Sequence, residues 1–171
     1  MLRFGMIGLA ALGLASCGVA KPPAVTEVVG ANSIEVGRYI SMVAGCNDCH
    51  TAGYAQNAGK VPEAQWLLGN PIGYRGAWGT SYASNLRLLV DTMSKEAFVE
   101  MLDTRQGLPP MPWQNVKALS PANKAALYDY FKSLGPAGEA MPAVVPPGQE
   151  PTTPYENMVP VGPGGAPLGA P

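Results

Sequence analysis

Cys46 and Cys49 stand three positions apart, and His50 follows directly. Two thiols at this spacing can each add across one vinyl group of a single porphyrin. The adjacent imidazole can then offer a ring nitrogen to the iron. C-x-x-C-H is the attachment pattern of a c-type haem, and its geometry asks for one helical turn ending at the histidine. His50 is the only histidine of the chain, and two of its three cysteines lie in this motif.

The same residue types admit other chemistries. A structural zinc site needs four ligands. The remaining cysteine, Cys17, lies in a different kind of segment. Thioredoxin-like exchange calls for a βαβ setting, which the flanking sequence does not suggest. A plain disulfide suits an exported protein but gives the adjacent histidine no role.

A second soft donor lies 61 residues beyond His50, in Gly107-Leu108-Pro109-Pro110-Met111-Pro112-Trp113. Three prolines exclude helix here and hold the backbone extended. Met111 is thus placed on a rigid strap with its thioether free to project. A methionine opposite a histidine gives the low-spin, six-coordinate iron of electron-transfer cytochromes and raises its potential. The alternatives are a packing methionine or an iron left open to ligands. Met101 falls on the apolar face of a helix and reads as core.

Helices must position these donors. Asn32 and Glu35 form a capping box, and Ile34, Tyr39, Ile40, Val43 and Ala44 recur at near-helical spacing. One helix over 33–49 is expected. Gly37 costs it about 1 kcal/mol relative to alanine, a cost explained if another helix approaches closely there. Residues 51–78 are punctuated by glycine and proline and read as loop; only 62–68 could form a turn or two of helix. Trp66, Tyr74, Trp78 and Tyr82 could wall a porphyrin or bond its propionates, although packing is the ordinary role of each. Arg75 and Arg87 are candidates to neutralise propionates, against the ordinary state of a solvated surface charge.

Ser94 caps a helix running to about Arg105, with Ala97, Phe98, Met101 and Leu102 on one face. Ser120-Pro121 opens the last helix, whose apolar stripe is Leu127, Tyr130, Phe131 and Leu134. Lys124 and Lys132 fall off that stripe, and Gly135-Pro136 ends the helix. It is the natural partner of the helix carrying Gly37, with an aromatic residue crossing the glycine. The expected fold is all-α, with three to four helices and long loops wrapped around one covalent haem c.

The chain has 171 residues, with 11 basic against 12 acidic side chains. This length suits one domain. The charge balance gives no basic stripe for nucleic acid and no strong field to steer a partner. A short basic start precedes an apolar run over 4–15, too short to span a membrane and right for a signal peptide. The run ends in Leu14-Ala15-Ser16-Cys17, which resembles the bacterial lipobox. That likeness implies cleavage before Cys17 and lipidation of Cys17, hence a protein anchored to a bacterial membrane and facing the periplasm. The expected layout is a lipoprotein signal peptide at 1–16, a tether at 17–32, a haem domain at 33–137 and a Pro/Gly-rich tail at 138–171. The tail segment from Pro136 holds ten of the 18 prolines and no Lys or Arg. It reads as largely irregular, with Gly162 to Pro171 disordered. It could dock, act as a spacer, or be inert.

With these pieces in place, residues 33–137 resemble the class I c-type cytochromes. Within that class they are most similar to the haem domains of the cytochrome subunits of bacterial membrane-bound alcohol and gluconate dehydrogenases. The likeness rests on Gly37-Arg38-Tyr39-Ile40, Cys49-His50-Thr51, Gly79 to Leu86, Met111-Pro112-Trp113 and Ala126 to Leu134. It implies the cytochrome c fold, with Cys46 and Cys49 as thioether attachments, His50 as proximal ligand and Met111 as distal ligand. Those subunits carry three haem domains and this chain has one motif. The expected activity is electron transfer by Fe(II)/Fe(III) cycling, not catalysis, with a dehydrogenase, an oxidase or another cytochrome as redox partner. The rival expectations are a haem subunit of a larger dehydrogenase, and an open-iron sensor or peroxidase if Met111 does not ligate.

Overall fold

In a computed structural model, which describes residues 26–165 and 168, helix α1 spans Ser33–Val43. The Asn32 side chain accepts the amide of Glu35 at 2.9 Å to open it. Its buried face is Val36, Gly37, Ile40 and Ser41. The expected single helix over 33–49 is in fact two. Gly45 adopts φ +70°, a left-handed conformation that ends α1 and restarts the chain as α2, Cys46–His50. Only glycine takes this value without steric cost.

The last helix, α6, spans Pro121–Ser133 and packs along α1. Ser120 accepts the Asn123 amide at 3.1 Å. A Cβ on Gly37 would run into the Ala126 carbonyl and the Tyr130 Cβ. The glycine therefore sets how closely the two helices approach. Three further helices complete the set among the described residues: α3 (Leu86–Asp91), α4 (Lys95–Thr104) and α5 (Trp113–Lys117). Ser94 caps α4 by accepting the Ala97 amide at 3.2 Å. Phe98 and Leu102 on α4 join Val36, Ile40, Trp66, Leu67, Val90, Ala126, Leu127, Tyr130 and Phe131 in one hydrophobic core.

The all-α expectation is overturned by a three-stranded mixed sheet. Strand β1 (Asn70–Gly76) pairs antiparallel with β2 (Gly79–Ala83), across a turn closed by Gly76 and Gly79. Strand β3 (Tyr155–Asn157), from the tail, pairs parallel with β1. The expected loop over 51–78 thus contains a strand, and its one short helical element is a 3₁₀ turn at Glu63–Gln65. Glycine and proline density hid the hairpin, because its order comes from pairing and not from local propensity.

The tail supplies much of that pairing. Val145 exchanges backbone hydrogen bonds with Thr80, at 2.8 and 3.0 Å. Gly73 N–H donates to the Pro154 carbonyl at 2.9 Å, and Met158 N–H to the Arg75 carbonyl at 2.7 Å. Both edges of the hairpin are covered in this way, as unpaired edges require. The segments read as signal peptide, lipidated Cys17 and first part of the tether lie outside the described residues, as do five of the last six residues. Among the described residues, no helix is long and apolar enough to cross a membrane.

Candidate functional site

His50 is buried at the end of α2. Its Nδ1 lies 2.7 Å from the Ser84 carbonyl oxygen. A carbonyl can only accept, so Nδ1 carries the proton and donates, and Nε2 keeps its lone pair. Burial pulls the His50 pKa below the ordinary imidazole value, and the Ser84 bond opposes this only in part. The ring is therefore neutral near pH 7, in the tautomer a metal ion would require of Nε2.

A stack of hydrogen bonds holds this turn. Thr51 Oγ1 donates to Asn47 Oδ1 at 2.8 Å and accepts the Leu67 amide at 2.8 Å. The His50 carbonyl accepts the Gly69 amide at 2.8 Å, and the Leu67 carbonyl accepts the Leu86 amide at 3.0 Å. Leu67 is fully buried with φ +63°. That conformation costs roughly 1–2 kcal/mol in a non-glycine residue, and both of its backbone polar groups are engaged. On the Ser84 side, Asn85 caps α3 by accepting the Arg87 and Leu88 amides, each at 3.1 Å. Asn85 Nδ2 donates to Ala137 and Glu139 carbonyls of the tail, at 2.8 and 3.2 Å. The acceptor of His50 is thus fixed from two directions.

Two adjoining cavities, of about 310 and 100 Å³, share Cys49, His50, Leu86, Phe98, Leu102 and Met111 in their walls. Cys46 lines the smaller one. The structure therefore brings all four predicted residues, Cys46, Cys49, His50 and Met111, to one cleft. Both cysteines are free thiols. Burial pushes the Cys46 thiol up to about 11. Reactive cysteines of disulfide exchange shift the other way, so the environment does not suit that chemistry. Among the described residues, no three His, Cys, Asp or Glu side chains gather as a metal cluster. What the cleft offers is one neutral imidazole, one thioether and two thiols between apolar walls. That set suits an iron porphyrin, which brings four of its own nitrogen donors and needs only axial ligands and attachment points.

Met111 sits on the strap between α4 and α5. Ser81 Oγ donates to the Pro109 carbonyl. The Arg105 guanidinium lies 5.5 Å over the Trp113 ring, and the Trp113 backbone amide donates to the Met111 carbonyl at 2.9 Å. Trp113 was not singled out as a wall residue, yet it lines the larger cavity with a buried indole N–H that has no partner. Its place two residues after Met111 was the available signal. Of the four aromatics singled out, Tyr74 and Tyr82 line the larger cavity. Trp66 packs in the core, its indole donating to the Val61 carbonyl at 2.7 Å. Trp78 folds its ring over Gly76. Met101 both packs against the core and lines the larger cavity.

Neither arginine singled out reaches the cleft walls. Arg75 makes a two-bond ion pair with Glu150 of the tail. Arg87 is buried, not solvated, and donates to the Gly135 carbonyl at 2.6 Å, the Ala64 carbonyl at 3.0 Å and the Leu134 carbonyl. It is the cation that closes the C-terminal end of α6. Lys124 is likewise buried, although its position falls off the apolar stripe of α6.

No protein family, curated protein or solved structure matches this chain.

Proposed function

We propose that the protein is a monohaem c-type cytochrome that passes single electrons between redox partners. One observation carries the reading. A neutral, carbonyl-oriented His50 shares a cleft with Met111 and with both cysteines of the C-x-x-C-H motif. In this reading Cys46 and Cys49 would hold the haem through thioether bonds, and His50 Nε2 and Met111 Sδ would supply the donor atoms to its iron. Haem c, when bound, supplies the Fe(II)/Fe(III) couple.

The chain's own residues set the conditions. The Ser84 carbonyl fixes the His50 tautomer and raises the basicity of Nε2. The Met111 thioether, a soft and weak donor, favours the reduced state. Phe98, Leu102, Leu86 and Trp113 keep the donors in an apolar setting. In this reading the protein is a carrier and not an enzyme by itself. A dehydrogenase, an oxidase or a second cytochrome is the kind of partner this implies. Lipidation at Cys17 would hold the domain at the periplasmic face of a membrane.

The test is the double variant Cys46→Ala with Cys49→Ala, expressed with haem-attachment machinery. Wild-type protein is expected to keep its haem through denaturing electrophoresis and the variant to lose it. Haem retained by the variant would contradict covalent attachment at these residues.

A further inference from the structure

We propose that Lys124 is a positioning residue that clamps the methionine strap by both of its flanking helices, an inference that rests on the reading of Met111 as an axial ligand. Lys124 occupies the first turn of α6, and its side chain is only 2% exposed. Its ammonium donates to the Asp103 carboxylate and, at 2.9 Å, to the Lys117 carbonyl. Asp103 is the second-to-last residue of α4, just before the strap begins. Lys117 is the last residue of α5, the five-residue helix that begins directly after the strap. One side chain therefore ties the helices on both sides of the 105–112 segment to α6, which is itself packed against α1.

A lysine here is costly to bury. An ammonium withdrawn from water must be paired and hydrogen-bonded, and a leucine-sized residue would fill the same space without that demand. What the lysine adds is direction, because it fixes two groups on two different helices at once. The other fasteners act within the strap or at its crown: Arg105 over Trp113, and Ser81 to the Pro109 carbonyl. Neither of them reaches α6. Without the clamp, α4 and α5 can shift apart, and Met111 is released more often from the position it shares with His50.

The experiment uses the haem-loaded protein. Imidazole competes with a methionine for iron, so its apparent affinity reports how often the strap opens. Lys124→Met, which keeps the volume of the aliphatic stem, is expected to bind imidazole about tenfold more tightly than wild type. Exchange of the hydrogen-bonded amides of Arg105, Trp113 and Asn115, at the two edges of the strap, is expected to speed up, with α1 amides unchanged. Lys124→Arg should restore most of both. Asp103→Ala leaves the Lys117 tie and should fall between; it serves as the test if Lys124→Met does not fold. Wild-type imidazole affinity and strap exchange in these variants would overturn the clamp. A wild-type protein without a methionine-to-iron band would overturn the ligation reading instead, and strap exchange would still decide whether Lys124 clamps.

Discussion

Glu63 illustrates how much a single side chain can join. Its Oε1 accepts from Arg38 Nε and from Tyr130 Oη, both at 2.8 Å, linking the 3₁₀ turn to α1 and to α6. The Arg38 bond, the largest effect, holds its carboxyl below the ordinary value of 4.5; burial, next in size, opposes it, and the Tyr130 bond adds to the lowering. A depressed carboxylate stabilises the fold above the ordinary carboxylate range and loses that contribution as pH falls through its lowered value. Arg38 and Glu63 are about 42% and 40% exposed. The ion pair itself is therefore worth about 1 kcal/mol or less. Glu63→Gln should lower the thermal midpoint by a few degrees at pH 7, with wild type and variant converging in acid. Thermal melts across pH check this; a difference that persists unchanged at low pH would mean that packing, not the charge, is at work.

At the scale of elements, the helices were legible where local chemistry marks their ends. Asn32, Ser94 and Ser120 cap the helices that begin after them. The Gly37 anomaly was legible too, since an otherwise unfavourable glycine marks the crossing of α1 over Ala126 and Tyr130 on α6. What was not legible was pairing between distant segments. Strand β1 contains Pro71 and glycines, and its partner β3 lies about 80 residues away in a proline-rich tail. Nothing local marks either as strand. The break at Gly45 was also missed, because the apolar period runs through it while the backbone does not. Buried Arg87 and Lys124 escaped for a related reason. Charged residues are rarely buried, and the carbonyls and the carboxylate that hold these two come from other elements. The four cleft residues could be singled out because the C-x-x-C-H spacing and the proline strap are written in nearby positions of the sequence.

Among the described residues, a helical core and a sheet closed by the tail together wall the cleft. Arg75 with Glu150, Tyr82 with Thr153 at 2.8 Å, and the β1–β3 pairing make the tail part of the fold from Ala137 to Met158. Val144 of the tail even reaches the wall of the larger cavity. The proposed place of the molecule at a membrane rests on Cys17, outside the described residues. Cys17→Ser should move the protein from the membrane fraction to the soluble fraction, read by fractionation of cells. Tight membrane association of the variant would remove the lipid-anchor proposal without touching the haem site.

The most direct test of the central claim is the visible spectrum of the purified protein, oxidised and reduced, with wild type beside Met111→Ala. Axial ligation by His50 and Met111 predicts a low-spin wild type with a weak long-wavelength methionine-to-iron band, absent from the variant. A high-spin wild type that readily takes up carbon monoxide would contradict it, and would mean an iron open to small ligands.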